Sequence, residues 1–151
     1  MKLIFIGLVL LFTNDSFALG RVVSYEEVNT PLFASIEKVE TCGDWRANNR
    51  LGHFRLLTLY YAGQNLLFVD IVALNASETE MELIKGFTFK DINNDHADII
   101  IEHLTCSSLG SNKIQVNAIA TNGHNNQTFE FSLKVNGEKN TYQYQEHFNK
   151  Q

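Results

Sequence analysis

With a single proline, two cysteines and no cluster of lysine or arginine, this chain excludes several kinds of protein at once. A formal charge of −5 with no basic stripe argues against nucleic acid as a partner, and equally against an anionic lipid surface. No second apolar span follows the N-terminal one, so no membrane span remains once that segment is removed. No period of fixed length recurs and nothing is of low complexity, which excludes propellers and solenoids. Cys-x-x-Cys, Gly-x-Ser-x-Gly, His-x-x-x-His and a phosphate-cradling glycine loop are all missing. The five histidines, His53, His96, His103, His124 and His147, show no spacing of metal-ligand type. No recognised catalytic constellation stands in the linear sequence.

What is present starts with the N-terminus, MKLIFIGLVLLFTNDSFALG. Lys2, the apolar run from Leu3 to Phe12, and Ser16-Phe17-Ala18 read as a signal peptide over residues 1–18. The run is about ten residues, too short to cross roughly 30 Å of hydrocarbon as a helix. No cysteine follows it to take a lipid anchor. The mature chain is then one domain, residues 19–151, in the periplasm or secreted. In such a compartment Cys42 and Cys106, the only cysteines, are expected to pair. Two cysteines this far apart are too few for a soft-metal site.

The mature chain reads as strand after strand. Phe129, Phe131, Leu133 and Val135 alternate with polar residues, as do Ile114, Val116, Ala118 and Ala120. Asn136-Gly137 predicts a type I′ hairpin turn, with TYQYQ at 141–145 as the return strand. Asn122-Gly123 predicts a second hairpin with a polar tip through Asn126. FRLLTLYY at 54–61 and LLFVDIVAL at 66–74 are apolar on both faces and suit strands covered on both sides. Met81, Leu83, Phe87 and Phe89 are expected on one face of a further strand, with Glu80 and Glu82 on the other. Residues 32–40 fit either a short helix opened by Thr30-Pro31 or a strand, and the strand is preferred. The expected fold is an all-β, antiparallel β-sandwich of about eight or nine strands.

Asp91, Asn93 and Asp95 alternate as oxygen ligands do in calcium loops, with Asp98 and Glu102 following. The sixth position is His96 rather than the glycine that such a loop needs, and both flanks alternate as strands. A polar turn is the expectation, built from side chains that cap their own backbone. Ca²⁺ on Asp91, Asn93, Asp95 and Asp98 is the alternative, and no other cofactor is implied.

Two stretches are candidates for recognition. Residues 42–54 place Trp45, Arg46, Arg50, Gly52, His53 and Phe54 in an irregular segment beside the expected disulfide, and Trp and Arg are favoured at binding hot spots. Packing of Trp45 on the core is the competing expectation. Residues 106–113 form a small-residue loop with Ser108, Gly110 and Ser111. Leu51-Gly52-His53-Phe54 and Ser108-Leu109-Gly110-Ser111-Asn112, in this order around two apolar strands and an Asp-rich turn, resemble the periplasmic inhibitors of I-type lysozyme. The family's first loop reads Ser-Gly-x-Tyr, of which this chain keeps the glycine and an aromatic. Its second reads Ser-Ala-Gly-Ser-Gly, of which Ser108, Gly110 and Ser111 are kept. The resemblance covers roughly residues 50–120. It implies an exported sandwich that blocks an invertebrate lysozyme by inserting loops into its active-site cleft. The absence of a catalytic constellation and the Trp/Arg stretch lead to the expectation of a non-enzymatic protein that binds a protein or glycan through its loops. A small hydrolase assembled by the fold, using His103 with Glu102 or Asp98, is the enzymatic alternative. A calcium-stabilised envelope component is the structural one.

Overall fold

The computed structural model describes residues 21, 22, 24, 25, 35–94 and 96–148. The expected signal peptide at 1–18 and residues 31–34 lie outside them. Eight antiparallel strands are present: β1 (Ile36–Ala47), β2 (Arg50–Tyr61), β3 (Gln64–Leu74), β4 (Met81–Thr88), β5 (Ile99–Ser108), β6 (Lys113–Asn122), β7 (Thr128–Asn136) and β8 (Thr141–Phe148). They form two four-stranded sheets, each a meander in chain order, β1-β2-β3-β4 and β5-β6-β7-β8. The all-β sandwich expected from the alternation is the fold, and residues 36–40 of the ambiguous segment are strand.

The inner faces meet in one core. Sheet one supplies Phe54, Leu56, Leu67, Val69, Ile71 and Phe87, and sheet two supplies Ile114, Val116, Phe129, Phe131, Leu133 and Val135. Fully burying each such side chain contributes about 2 kcal/mol before entropy is charged against it. Cys42 and Cys106 are joined, Cα to Cα 6.0 Å, and tie β1 of one sheet to β5 of the other.

The run LLFVDIVAL is buried along its length, as its lack of alternation implies. Its outward side chains Leu66 and Phe68 pack with Leu57, Leu59 and Tyr25 in a second apolar cluster on the outer face of sheet one. The Tyr25 ring stands edge-on to Phe68, with centroids 5.8 Å apart. It lies against Gly86, where an added Cβ would come within 2.6 Å of it.

Three local expectations are corrected. The Asn136-Gly137 turn is not a two-residue I′ turn: Asn136 pairs with Thr141, leaving residues 137–140 as the connection, and the positive φ falls at Asn140. Gly137 is small for another reason, since a Cβ there would sit 2.9 Å from Ile71 Cδ1 and Phe54 Cζ. Two-residue turns with both φ positive occur instead at Ala62-Gly63 and Asn48-Asn49. The second of these makes residues 42–54 a β1–β2 hairpin with one bulge, at Gly43, rather than an irregular loop. Finally, the single face expected for Met81, Leu83, Phe87 and Phe89 is broken by a register shift opposite Ile71 and Val72. Phe87 and Phe89 enter the core, whereas Met81 and Leu83 are exposed.

Candidate functional site

Residues 52–54 and 108–111 lie at the same end of the sandwich, on either side of residues 42–46 of β1. Across β1–β2, Gly52 pairs with Trp45, His53 with Asp44 and Phe54 with Cys42. From the other sheet, the β5–β6 turn reaches the same stretch of β1 through Asn112. The Asn112 N–H donates to the Asp44 carbonyl at 3.1 Å. Its side-chain oxygen accepts from the Arg46 N–H at 2.6 Å, and its amide nitrogen donates to the Arg46 carbonyl at 2.9 Å. The Asn112 carbonyl accepts from the Gly137 N–H at 2.8 Å. The Asn112 side chain thus closes a backbone-like pair with β1, and its backbone links the same turn to Asp44 and to Gly137 of the β7–β8 connection. Its φ of +64° lies in the left-handed region, which asparagine tolerates. Sequence reasoning quoted Asn112 only as a turn residue. Its signal was the asparagine itself, whose amide offers the same donor and acceptor as a peptide group.

The nine recognition candidates divide by exposure. Trp45 and Phe54 are core residues, 7% and 0% exposed, so they present no surface. The Trp45 indole N–H is buried without a hydrogen-bond partner. Gly52 lies against Val72 and Ala73 of β3, and His53 is half-buried. Arg50 is engaged: its Nε donates to the Leu74 carbonyl at 2.8 Å and its Nη2 lies 2.7 Å from Glu82. Arg46, Ser108, Gly110 and Ser111 are exposed. Leu51 and Leu109, at 54% and 48%, are exposed beside them, and the sequence reading had not singled them out. The result is a surface of one arginine, two leucines and small polar residues on a hydrogen-bonded base.

At the opposite end, residues 91–98 are the crossover from β4 to β5. Ile92 and Asn93 fold inward, both 0% exposed. The Asn93 oxygen accepts from the Leu67 N–H at 2.8 Å, and its nitrogen donates to the Leu67 carbonyl at 2.7 Å and to Thr88 Oγ1 at 3.2 Å. Its amide therefore closes the end of β3, so Asn93 does not stand as the ligand of the calcium alternative. Asp91 accepts from the Tyr142 hydroxyl at 3.0 Å, and Asp98 Oδ2 lies 3.5 Å from His124 Nε2. Asp95 lies outside the described residues. Among the described residues no three His, Cys, Asp or Glu side chains gather into a metal-holding group.

Of the residues offered for hydrolysis, Glu102 and His103 are on sheet two, and Asp98 is in the crossover before β5. His103, at φ +47°, sits in a bulge of β5 between Glu102 and Thr105 and lines an open groove of about 560 Å³ on the outer face, with Asn117, Glu130, Lys134 and His147. The hydroxyls of Ser107 and Ser108 donate to the backbone carbonyls of Gln115 and Gly110 rather than to an imidazole.

Three tyrosines are raised above their ordinary value. Tyr25 is raised by burial and by its hydrogen bond to Asp70. Tyr142 and Tyr144 are raised by burial and then by hydrogen bonds to Asp91 and Glu146. Among the described residues no helix is long and apolar enough to cross a membrane. No protein-family model matches the chain, and neither the curated proteins nor the solved structures compared with it give a match.

Proposed function

We propose that this is an exported, non-enzymatic binding protein that takes a protein or glycan partner at the end of the sandwich where the β1–β2, β5–β6 and β7–β8 connections meet. The observation that carries this reading is the Asn112 clamp, because it holds exposed Arg46 and the small-residue turn of 108–111 in one fixed surface. A surface already ordered gives up little entropy on binding. The disulfide between Cys42 and Cys106 is compatible with an oxidising, exported compartment. The partner class offered by the family resemblance is an I-type lysozyme, with the 108–111 turn entering its cleft.

The test is a titration of the mature, oxidised protein against an I-type lysozyme and against cell-wall fragments, for wild type, Ser111→Trp and Arg46→Glu. Wild type is expected to bind one of them. Each substitution is expected to weaken it about 30-fold, the equivalent of 2 kcal/mol at a hot spot. No binding by wild type, or equal binding by all three proteins, would sink the proposal.

A further inference from the structure

The four edge strands of the two sheets, β1, β4, β5 and β8, are not alike. A sheet edge leaves a row of unpaired N–H and C=O groups that templates another strand, and proteins blunt it with bulges, charges or proline. β1 carries two register shifts, at Glu37 and Gly43, and the Lys38–Glu40 ion pair. β4 has a register shift opposite Ile71 and Val72, and presents Glu82 and Lys85. β5 has its bulge at His103, next to Glu102. Of these devices β8 carries a single acidic side chain, Glu146, and neither a bulge nor a proline. It pairs with β7 from Asn136↔Thr141 to Phe129↔Phe148 without a shift, and TYQYQEHF contains no proline, lysine or arginine. Thr141, Gln143, Gln145, Glu146 and His147 are exposed, and among the described residues no strand pairs with the outer edge of β8.

We propose that β8 is a self-association edge, through which two copies of this chain pair antiparallel about a two-fold axis and join their second sheets into one of eight strands. The segment is complementary to itself, which is what such an axis demands. With Tyr144 on the axis, Gln143 of each copy faces Gln145 of the other, Tyr142 faces Glu146, and Thr141 faces His147. Residues of equal parity share a face in an antiparallel pair, so the alternation of β8 is kept across the junction. Gln143 facing Gln145 and Thr141 facing His147 join hydrogen-bonding side chains, while Tyr142 and Glu146 are bonded within their own chain to Asp91 and Tyr144, and no like charges oppose each other. One eight-residue edge buries less than the roughly 1,200 Å² of a standard interface, so the dimer is weak and concentration-dependent. Because the strands run antiparallel, the Asn112 ends of the two copies point in opposite directions.

Sedimentation equilibrium of the mature oxidised protein, from about 10 µM to about 1 mM, reads this directly, since weak interfaces titrate in that range. The weight-average mass is expected to climb from one chain towards two. Gln143→Lys/Gln145→Lys sets like charges across the axis and should hold the mass at one chain throughout, as should Gln143→Glu/Gln145→Glu. An equimolar mixture of these two variants should recover the heterodimer. Val39→Lys, on the bulged β1 edge, should associate like wild type. A mass that does not change with concentration overturns the proposal. So does association that persists in either charged variant, a mixture that stays monomeric, or loss of association in Val39→Lys.

Discussion

The outer faces of the two sheets are built on opposite principles. On sheet two the strands alternate cleanly: Ile114, Val116, Phe129, Phe131 and Leu133 point inward, while Gln115, Asn117, Glu130 and Lys134 line an open polar groove. On sheet one the outward side chains Leu57, Leu59, Leu66 and Phe68 are as buried as the inward ones. Within that covered face sits an ion pair. Arg55 donates two hydrogen bonds to Asp70 Oδ2, the Asp70 side chain is fully buried, and the Tyr25 hydroxyl faces the same carboxylate. A charge with no access to water must find its compensation inside the protein, whereas one on the open groove is solvated at no cost to the fold. The same strand geometry therefore gives one face where single substitutions are severe and one where they are mild.

The largest expected effect concerns what joins the two sheets. Reducing the Cys42–Cys106 bond, which spans 64 positions, should destabilise the oxidised protein by roughly 4 kcal/mol in the chain-entropy picture. Chemical denaturation with and without reductant measures it, and an unchanged midpoint would mean that the core alone holds the sheets together. Next comes Arg55→Met. It leaves Asp70 buried and uncompensated and should cost about 3 kcal/mol, whereas Arg55→Met/Asp70→Leu should recover most of that loss. Lys134→Met, on the exposed outer face of sheet two, should shift stability by no more than about 0.5 kcal/mol. Equal costs for Arg55→Met and Lys134→Met would erase the contrast between the faces.

A smaller effect is expected where sheet two presses on the core of sheet one. Gly137→Ala places a methyl group 2.9 Å from Phe54 and Ile71 and 3.0 Å from Trp45, and overpacking of this kind costs about 1.5 kcal/mol. If Gly137 were only a turn residue at negative φ, alanine would be neutral there. The smallest effect is alkaline. Tyr25, Tyr142 and Tyr144 are raised above their ordinary value of 10.0, so their contribution is complete below pH 10. It is lost as the pH climbs beyond that, because the unfolded chain ionises first. Tyr25→Phe should flatten part of this decline, measured as melting temperature against pH, and an unaltered slope would mean that Tyr25 does not contribute.

The alternating segments were legible in the sequence because one face of sheet two meets water and the other meets the core. The doubly apolar segments were legible as covered strands, but what covers them was not, since Tyr25 stands about 40 positions from its contacts on β3. Asp70 and Arg55 were visible as polar residues inside apolar runs, yet only the register Arg55↔Asp70 makes them partners. At the candidate site, the sequence placed Arg46, Ser108, Gly110 and Ser111 in two stretches without knowing that Asn112 joins them. It mistook a hairpin for an irregular segment because Asn48-Asn49 lacks the glycine that usually marks a tight turn. Asn136-Gly137 misled in the opposite sense. The glycine there answers to a tertiary contact with Phe54 and Ile71, which no local rule encodes.

Two meanders in chain order have a consequence for how this protein comes into being. Every strand pair joins neighbours in sequence, so each sheet needs only local closures, and these are the fast ones. A chain delivered N-terminus first across a membrane would expose residues 36–88 as a complete four-stranded sheet before β5 had emerged. Its inner face would be bare, with Phe54, Leu56 and Val69 turned to water, until β6 and β7 arrived to cover them. Through that interval Cys42 has no partner, because Cys106 lies in the second half. On that route oxidation would come late, after the two sheets had docked.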